Sequence, residues 1–282
     1  MRKYKIGVIQ CNTQNDKGKN LDWIETCIDE AAAQGVQLIT LPETMHCMGD
    51  NVGEGGNRRE DIPGYTIRRM AAKAKQHHIY IHCGSICEDR PGEKLYYNTS
   101  IVLDREGEII GKYRKLHTFD VTLPNGEERR ESDRVLAGKE IVTVETDLGV
   151  LGLSVCYDLR FPELYRIMAL KGAQILLVPA NFTMLTGKDH WEVLLRARAI
   201  ENGCYVIAPD QLGTKPNGGT SYANSLVVDP WGTVIAKAPD KTGWFSAEID
   251  LDYLDDVRRR MPGLKNRRKD VYVCAETDEV AE

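Results

Sequence analysis

Gly35-Val-Gln-Leu-Ile-Thr-Leu-Pro42 has a near copy at Gly172-Ala-Gln-Ile-Leu-Leu-Val-Pro179. Each is a short apolar run enriched in aliphatic residues, opened by glycine and closed by proline, the pattern of a strand buried on both faces. The segments around the two runs also recur in the same order. In the first half, periodicity predicts strand 4–10, helix 20–33, strand 36–42, helix 65–77, strand 79–87 and a hairpin near 97–113. In the second half it predicts strand 149–156, a helix opened by Pro162, strand 174–180, helix 189–202, strand 204–209 and a hairpin at 224–238. The hairpins match as well: Ile101-Val-Leu-Asp-Arg-Glu-Gly-Glu-Ile-Ile parallels Leu226-Val-Val-Asp-Pro-Trp-Gly-Thr-Val-Ile, with Asp and Gly supplying the turn.

Two similar halves, each a mixed sheet with helices on one face, bury their bare faces by packing sheet on sheet. The expected fold is therefore α/β, a four-layer αββα sandwich forming a single domain over residues 1–282. The charged loop 124–140 between the halves is too short for a linker and reads as a site loop.

Composition narrows the partners. With 282 residues, 42% hydrophobic, 28% charged and a net charge of -5, the chain suits a globular protein acting on a small molecule, with no call for nucleic acid or an anionic membrane. The start lacks the apolar stretch of a signal peptide, no run reaches the length of a membrane span, and eight scattered cysteines suit a reduced cytoplasmic protein. Asn98 and Asn181 match the glycosylation pattern, which in that setting reads as coincidence. Cys83 and Cys87 near His77, His78 and His82 read as core thiols, because no second ligand pair follows at zinc spacing. Trp191 and Trp231 read as packing residues, and the basic runs Arg258–Arg260 and 265–269 as a solvated or subunit-facing tail.

Functional groups in α/β sheets gather beyond the carboxyl ends of the strands. Three residues stand there: Glu43 after Leu38-Ile-Thr-Leu-Pro, Cys156 after Gly149-Val-Leu-Gly-Leu-Ser-Val, and Lys115 after Ile109-Ile-Gly-Lys-Tyr-Arg. A thiol becomes a nucleophile when a base takes its proton or a positive field ionises it. A carboxylate can accept that proton, and an ammonium and the backbone N–H of Tyr157 can hold an oxyanion. Cysteine is also a common core residue, and Cys11 ends the equivalent strand of the first half, so position alone does not decide the matter.

The surrounding residues do. Leu41-Pro-Glu-Thr, Tyr113-Arg-Lys-Leu-His and Cys156-Tyr-Asp-Leu-Arg-Phe-Pro-Glu, in this order, resemble the motifs of the nitrilase (carbon-nitrogen hydrolase) superfamily. The resemblance continues through His190-Trp-Glu-Val-Leu-Leu-Arg-Ala-Arg-Ala-Ile-Glu and Asp229-Pro-Trp-Gly. It implies a Glu43-Lys115-Cys156 triad, Glu131 as a fourth site residue, an αββα fold that dimerises, and hydrolysis of a carbon-nitrogen bond through a cysteine thioester. It implies neither metal nor organic cofactor, and suggests that segment 250–282 takes part in subunit contacts.

Cys-Tyr-Asp-Leu-Arg-Phe-Pro-Glu resembles the amidase branch that holds omega-amidase and deaminated-glutathione amidase, whereas nitrilases carry Cys-Trp-Glu-Asn. Lys188-Asp189 replaces the Pro-Ala common in the deaminated-glutathione type, which leaves the particular amide open; N-carbamoyl amino-acid hydrolysis and nitrile hydrolysis are the alternatives. Arg160 is a candidate for a substrate carboxylate, or for a structural ion pair. Asn181, Phe182 and Thr186 are expected on the opposite wall, with Tyr157 beside the nucleophile. The Glu43 position aligns with Ala180 in the second half, so one composite site is expected rather than two.

Overall fold

The two matching octapeptides form parallel strands near the centres of two separate sheets in the computed structural model, which describes residues 2–49, 58–123 and 126–276. Pro124 and Asn125 of the expected site loop, and residues 277–282 of the tail, lie outside the described residues. The first half runs β1 (Lys3–Gln10), α1 (Lys17–Ala33), β2 (Val36–Thr40), α2 (Tyr65–His77), β3 (Tyr80–His82), β4 (Ile86–Glu88), β5 (Tyr96–Leu103) and β6 (Ile109–Arg114). The second runs β7 (Thr143–Thr146), β8 (Gly149–Leu153), α3 (Pro162–Leu170), β9 (Ile175–Leu177), α4 (Met184–Asn202), β10 (Tyr205–Ala208), β11 (Leu226–Val228) and β12 (Val234–Lys237). β13 (Gly243–Asp250) and α5 (Leu251–Arg260) follow.

The pairing repeats strand for strand. In the first sheet β1, β2 and β3 are parallel, β5 and β6 continue antiparallel, and β13 closes the edge antiparallel to β1. In the second, β8, β9 and β10 are parallel, β11 and β12 continue antiparallel, and β7 closes the edge antiparallel to β8. The edge strand therefore follows its sheet in one half and precedes it in the other. Neither edge strand is anticipated from periodicity, because both are short or half exposed.

Alternation along the strands sorts the side chains into layers. Ile6, Val8, Leu38, Tyr80 and Val102 join the second sheet's Leu151, Leu153 and Ile175 in one buried cluster. Their neighbours Ile9, Ile39, Ile81 and Leu103 turn the other way, onto Leu21, Ile24 and Ile28 of α1 and Ile67 and Met70 of α2. Leu164 and Met168 of α3 and Leu195 and Ala199 of α4 cover the second sheet, which completes the αββα order. Tyr4 and Tyr80 tie the sheets together, donating to Leu148 O at 2.7 Å and to Asp147 Oδ1 at 2.8 Å.

The strands expected at 36–42, 149–156 and 174–180 end earlier, at Thr40, Leu153 and Leu177, and three further boundaries differ for a local reason. The expected strand 79–87 breaks into β3 and β4 at Gly84, whose φ is +54° and whose missing side chain makes room for the carbonyls of Leu41 and Pro42. α1 begins at Lys17 rather than 20, with Asp16 accepting from Lys19 N at 3.0 Å as its cap. α4 begins at Met184 rather than 189: Gly187 looks like a helix breaker, but it is there because the Tyr222 ring packs against its backbone.

One residue of the basic runs differs from its sequence reading, while Arg259 and Arg260 are exposed. Arg258 folds inward, donating to Gly203 O at 2.9 Å and so capping α4, instead of lying in solvent. Leu251, Leu254 and Val257 are buried in the chain's own core, whereas Val271, Tyr272 and Val273 are exposed. Trp191 is a packing residue as read, but Trp231 is 56% exposed at a hairpin turn.

Gly7 and Gly152 occupy equivalent positions of β1 and β8, each under a helix-side layer. A Cβ on Gly152 would lie 3.0 Å from Met168 Sδ and 3.1 Å from Leu176 Cδ2. Gly152→Ala is therefore expected to destabilise by about 1–3 kcal/mol. Gly263→Ala, with nothing within 4 Å, serves as the control. Urea midpoints of the two variants check this.

Candidate active site

The site forms where the strand ends of the two halves meet. Glu43 lies just past β2, Lys115 just past β6, and Cys156 three residues past β8. All three are buried, at 5%, 1% and 9% exposure, so their interactions are little screened. Lys115 Nζ donates to Glu43 Oε1 at 3.2 Å and to Glu131 Oε2 at 2.8 Å. Glu131 reaches it from a 3-10 turn, Glu131–Asp133, in the loop read as a site loop, and is fixed by Phe119 N at 2.6 Å.

Cys156 adopts φ +51°, a left-handed conformation that a side-chain-bearing residue occupies only when its surroundings hold it there. Its N–H donates to Pro179 O at 2.9 Å, at the end of the octapeptide repeat. The chain then makes a 3-10 turn, Cys156–Arg160, before α3 begins, so the thiol precedes a short turn rather than the helix expected from Phe161-Pro162-Glu163. The thiol faces the Glu43 carboxyl group, the Lys115 ammonium and the Asn181 N–H. Burial raises its pKa well above the usual value, Glu43 adds to the rise, and Lys115 and the Asn181 N–H oppose it. The resting thiol accordingly keeps its proton at neutral pH. For Lys115, burial disfavours the charge, but Glu131, Glu43 and Cys156 together hold its pKa well above that of a free lysine. A protonated thiol beside a carboxyl group and a permanent cation can exchange a proton with the one and place developing negative charge against the other.

Asn98 and Asp158 are absent from the sequence reading as site residues, and Asn181, expected on the cleft wall, also supports Glu43. Asn98, one of the two discounted glycosylation matches, donates Nδ2 to Glu43 Oε1 at 2.8 Å. Asn181, the other, donates its N–H to Glu43 Oε2 at 2.9 Å. The Glu43 carboxyl group is thus held at both oxygens. Asp158 accepts from Tyr113 Oη at 2.7 Å, His117 Nδ1 at 2.7 Å, His117 N at 3.1 Å and Val155 N at 2.8 Å, locking the Lys115 segment to the Cys156 turn. The spacing of Asp158 from Cys156 was visible, but its role depends on Tyr113 and His117, forty residues away.

A cleft of about 650 Å³ opens above the thiol, and residues of both halves line it. Among them are all nine residues named from the sequence: Glu43, Lys115, Glu131, Cys156, Tyr157, Arg160, Asn181, Phe182 and Thr186. Arg160 lies over the rings of Phe182 and Tyr157, with its Nη1 at 3.2 Å from His190 Nδ1. Among the described residues it makes no ion pair with a carboxylate. Thr186 Oγ1 lies 2.9 Å from Thr183 Oγ1 at the start of α4. The residues that resembled a metal set are engaged elsewhere: His77 pairs with Asp29 and His82 with Ser100, while Cys83 and Cys87 are buried.

The sequence and the fold have close counterparts among known proteins. The family model for carbon-nitrogen hydrolases matches residues 5–259. A deaminated glutathione amidase of Synechocystis sp. is 40% identical over 270 residues, covering 95% of this chain and 99% of that one. An omega-amidase (NIT2) of Danio rerio is 38% identical over 274 residues, covering 96% and 97%. The crystal structure of the Caenorhabditis elegans NitFhit protein superposes with a TM-score of 0.88 at 36% identity, covering 96% of this chain and 66% of that chain. A match over most of the length, together with relatives above one third identity, identifies the protein as a member of the carbon-nitrogen hydrolase family.

Proposed function

We propose that the chain is a thiol-dependent amidase in which Cys156 attacks the carbonyl carbon of a small linear amide and Glu43 carries the protons. The observation behind this reading is the convergence of a buried thiol, a carboxyl group fixed at both oxygens and a buried ammonium at the floor of one cleft. As the sulfur-carbon bond forms, the thiol proton moves to Glu43, and the negative charge on the former carbonyl oxygen rests against Lys115 and the Tyr157 N–H. Collapse breaks the carbon-nitrogen bond, and the leaving ammonia or amine takes the proton back from Glu43. Water then attacks the thioester, giving its proton to Glu43, which returns it to the departing thiolate and frees the carboxylate product. Glu131 keeps Lys115 in place through its 2.8 Å bond.

The guanidinium of Arg160, which lines the same cleft and meets no carboxylate among the described residues, supports an amide that carries a carboxylate, such as an omega-amide of a dicarboxylic acid or deaminated glutathione. No helix of the described residues is long and apolar enough to cross a membrane. The eight free thiols fit a cytoplasmic setting, and the exposed apolar residues Val193, Ile200, Trp231 and Ile235 fit a homodimer.

A panel of alpha-ketoglutaramate, deaminated glutathione, N-carbamoyl amino acids and simple nitriles, read by ammonia release, tests the substrate class. Turnover confined to the nitriles, or carbon dioxide released with the ammonia, contradicts it. Cys156→Ala is expected to fold as the wild type does and to lose all turnover, with circular dichroism and ammonia assays as the checks. Glu131→Gln leaves Lys115 in a looser position, and kcat/KM is expected to fall about a hundredfold, the scale of a misplaced catalytic group. Arg160→Met removes a charge-assisted contact of about 1.5–3 kcal/mol. KM is then expected to rise about tenfold or more for carboxylate-bearing amides while neutral amides are unaffected.

A further inference from the structure

Lys215 follows a short strand, Leu212–Thr214, and turns inward until it is 5% exposed. A buried lysine ordinarily meets a carboxylate. Among the described residues Lys215 forms no ion pair; its three protons go to neutral oxygens, Asn12 Oδ1 at 3.1 Å, Gln211 Oε1 at 2.8 Å and Leu212 O at 3.0 Å. Burial accordingly lowers its pKa to about 8, with Cys11 and Asp210 the ionisable groups that oppose the fall. A cation kept at that cost without a counter-ion calls for an explanation.

The consequence falls on Gln211. A side-chain amide can sit either way round, and its neighbours decide which. Two groups touch the Gln211 oxygen, the Lys215 ammonium and the Thr13 N–H at 3.0 Å, and both can only donate. The amide nitrogen must then face the other side, where it donates to Thr13 Oγ1 at 2.8 Å and to the main-chain oxygen of Glu43 at 2.9 Å. The next peptide is held in turn, Thr44 N donating to Ser85 Oγ at 3.0 Å. Lys215 and Gln211 come from the second half and grip the backbone of Glu43 in the first.

We propose that Lys215 is a positioning residue for the amidase reaction: by fixing the Gln211 amide it holds the Glu43 backbone, and so the carboxyl group, in register with Cys156 and Lys115. All three protons of its ammonium are committed within the protein, which separates this role from direct binding of a substrate anion even though Lys215 lines the cleft. The inference rests on the reading of Glu43 as proton carrier.

The test compares wild type, Lys215→Met, Gln211→Met and the double variant by two readouts. One is kcat and KM for ammonia release from any panel amide that the wild type hydrolyses. The other is the rate at which iodoacetamide alkylates Cys156, followed by peptide mass spectrometry, which needs no knowledge of the substrate. Each single variant is expected to lower kcat about tenfold with KM within about twofold, and the double variant to be no worse than the worse single, because both residues act along one path. Cys156 alkylation should slow in the same variants, in which a displaced Glu43 carboxyl group takes the thiol proton less readily. Lys215→Gln replaces the methionine variant if that does not fold. Wild-type rates in both readouts, a rise in KM alone, or losses that multiply in the double variant overturn the inference. A wild type that releases no ammonia from any panel compound overturns the amidase reading instead, and the alkylation rates then decide the positioning role by themselves.

Discussion

A lysine ammonium buried at 1% exposure must find its partners within the protein, and the site is organised around that fact. Lys115 satisfies it with the buried Glu43 at 3.2 Å and the partly exposed Glu131 at 2.8 Å. Taking such charges from water costs several kcal/mol per ion, and their mutual attraction repays this only with good geometry and further hydrogen bonds. Asn98 and the Asn181 N–H supply those bonds to Glu43, and Phe119 N supplies one to Glu131. The cluster is weak evidence for stability and strong evidence for function, since an apolar core would cost less.

The same cluster explains why the fold needs two halves. Glu43 and Lys115 hang from the first sheet, and Cys156 and Asn181 from the second, so only sheet-on-sheet packing brings them together. Asp158 and Gln211 then act as cross-braces, each bonded to the opposite half. The duplication built the frame, and its loss of symmetry built the site. Cys11 holds the strand end equivalent to Cys156, but its sulfur meets Thr13 Oγ1 at 3.3 Å, while Ala180 takes the place that a second carboxyl group would need.

This division also marks what the sequence could reveal. The repeated octapeptides and hairpins were legible because strands buried on both faces leave unbroken apolar runs, and such runs can be compared letter by letter. β7 and β13 were not, because an edge strand is half solvated and its pattern resembles a loop. The nine named site residues all reach the cleft, since strand ends and motif spacing constrain them locally. Asn98, Asp158 and Gln211 went unseen because each bonds to partners distant in sequence, and no spacing along the chain records such a pairing.

The central claim is that a protonated Cys156 becomes the acyl carrier of one composite site. Acid quenching of the enzyme within its first turnovers of an amide substrate, followed by peptide mass spectrometry, tests it most directly. The account predicts that the peptide containing Cys156 gains the mass of the amide less ammonia, and that hydroxylamine removes the adduct as it does a thioester. Steady hydrolysis with no adduct on Cys156, or an adduct on another cysteine, would contradict it.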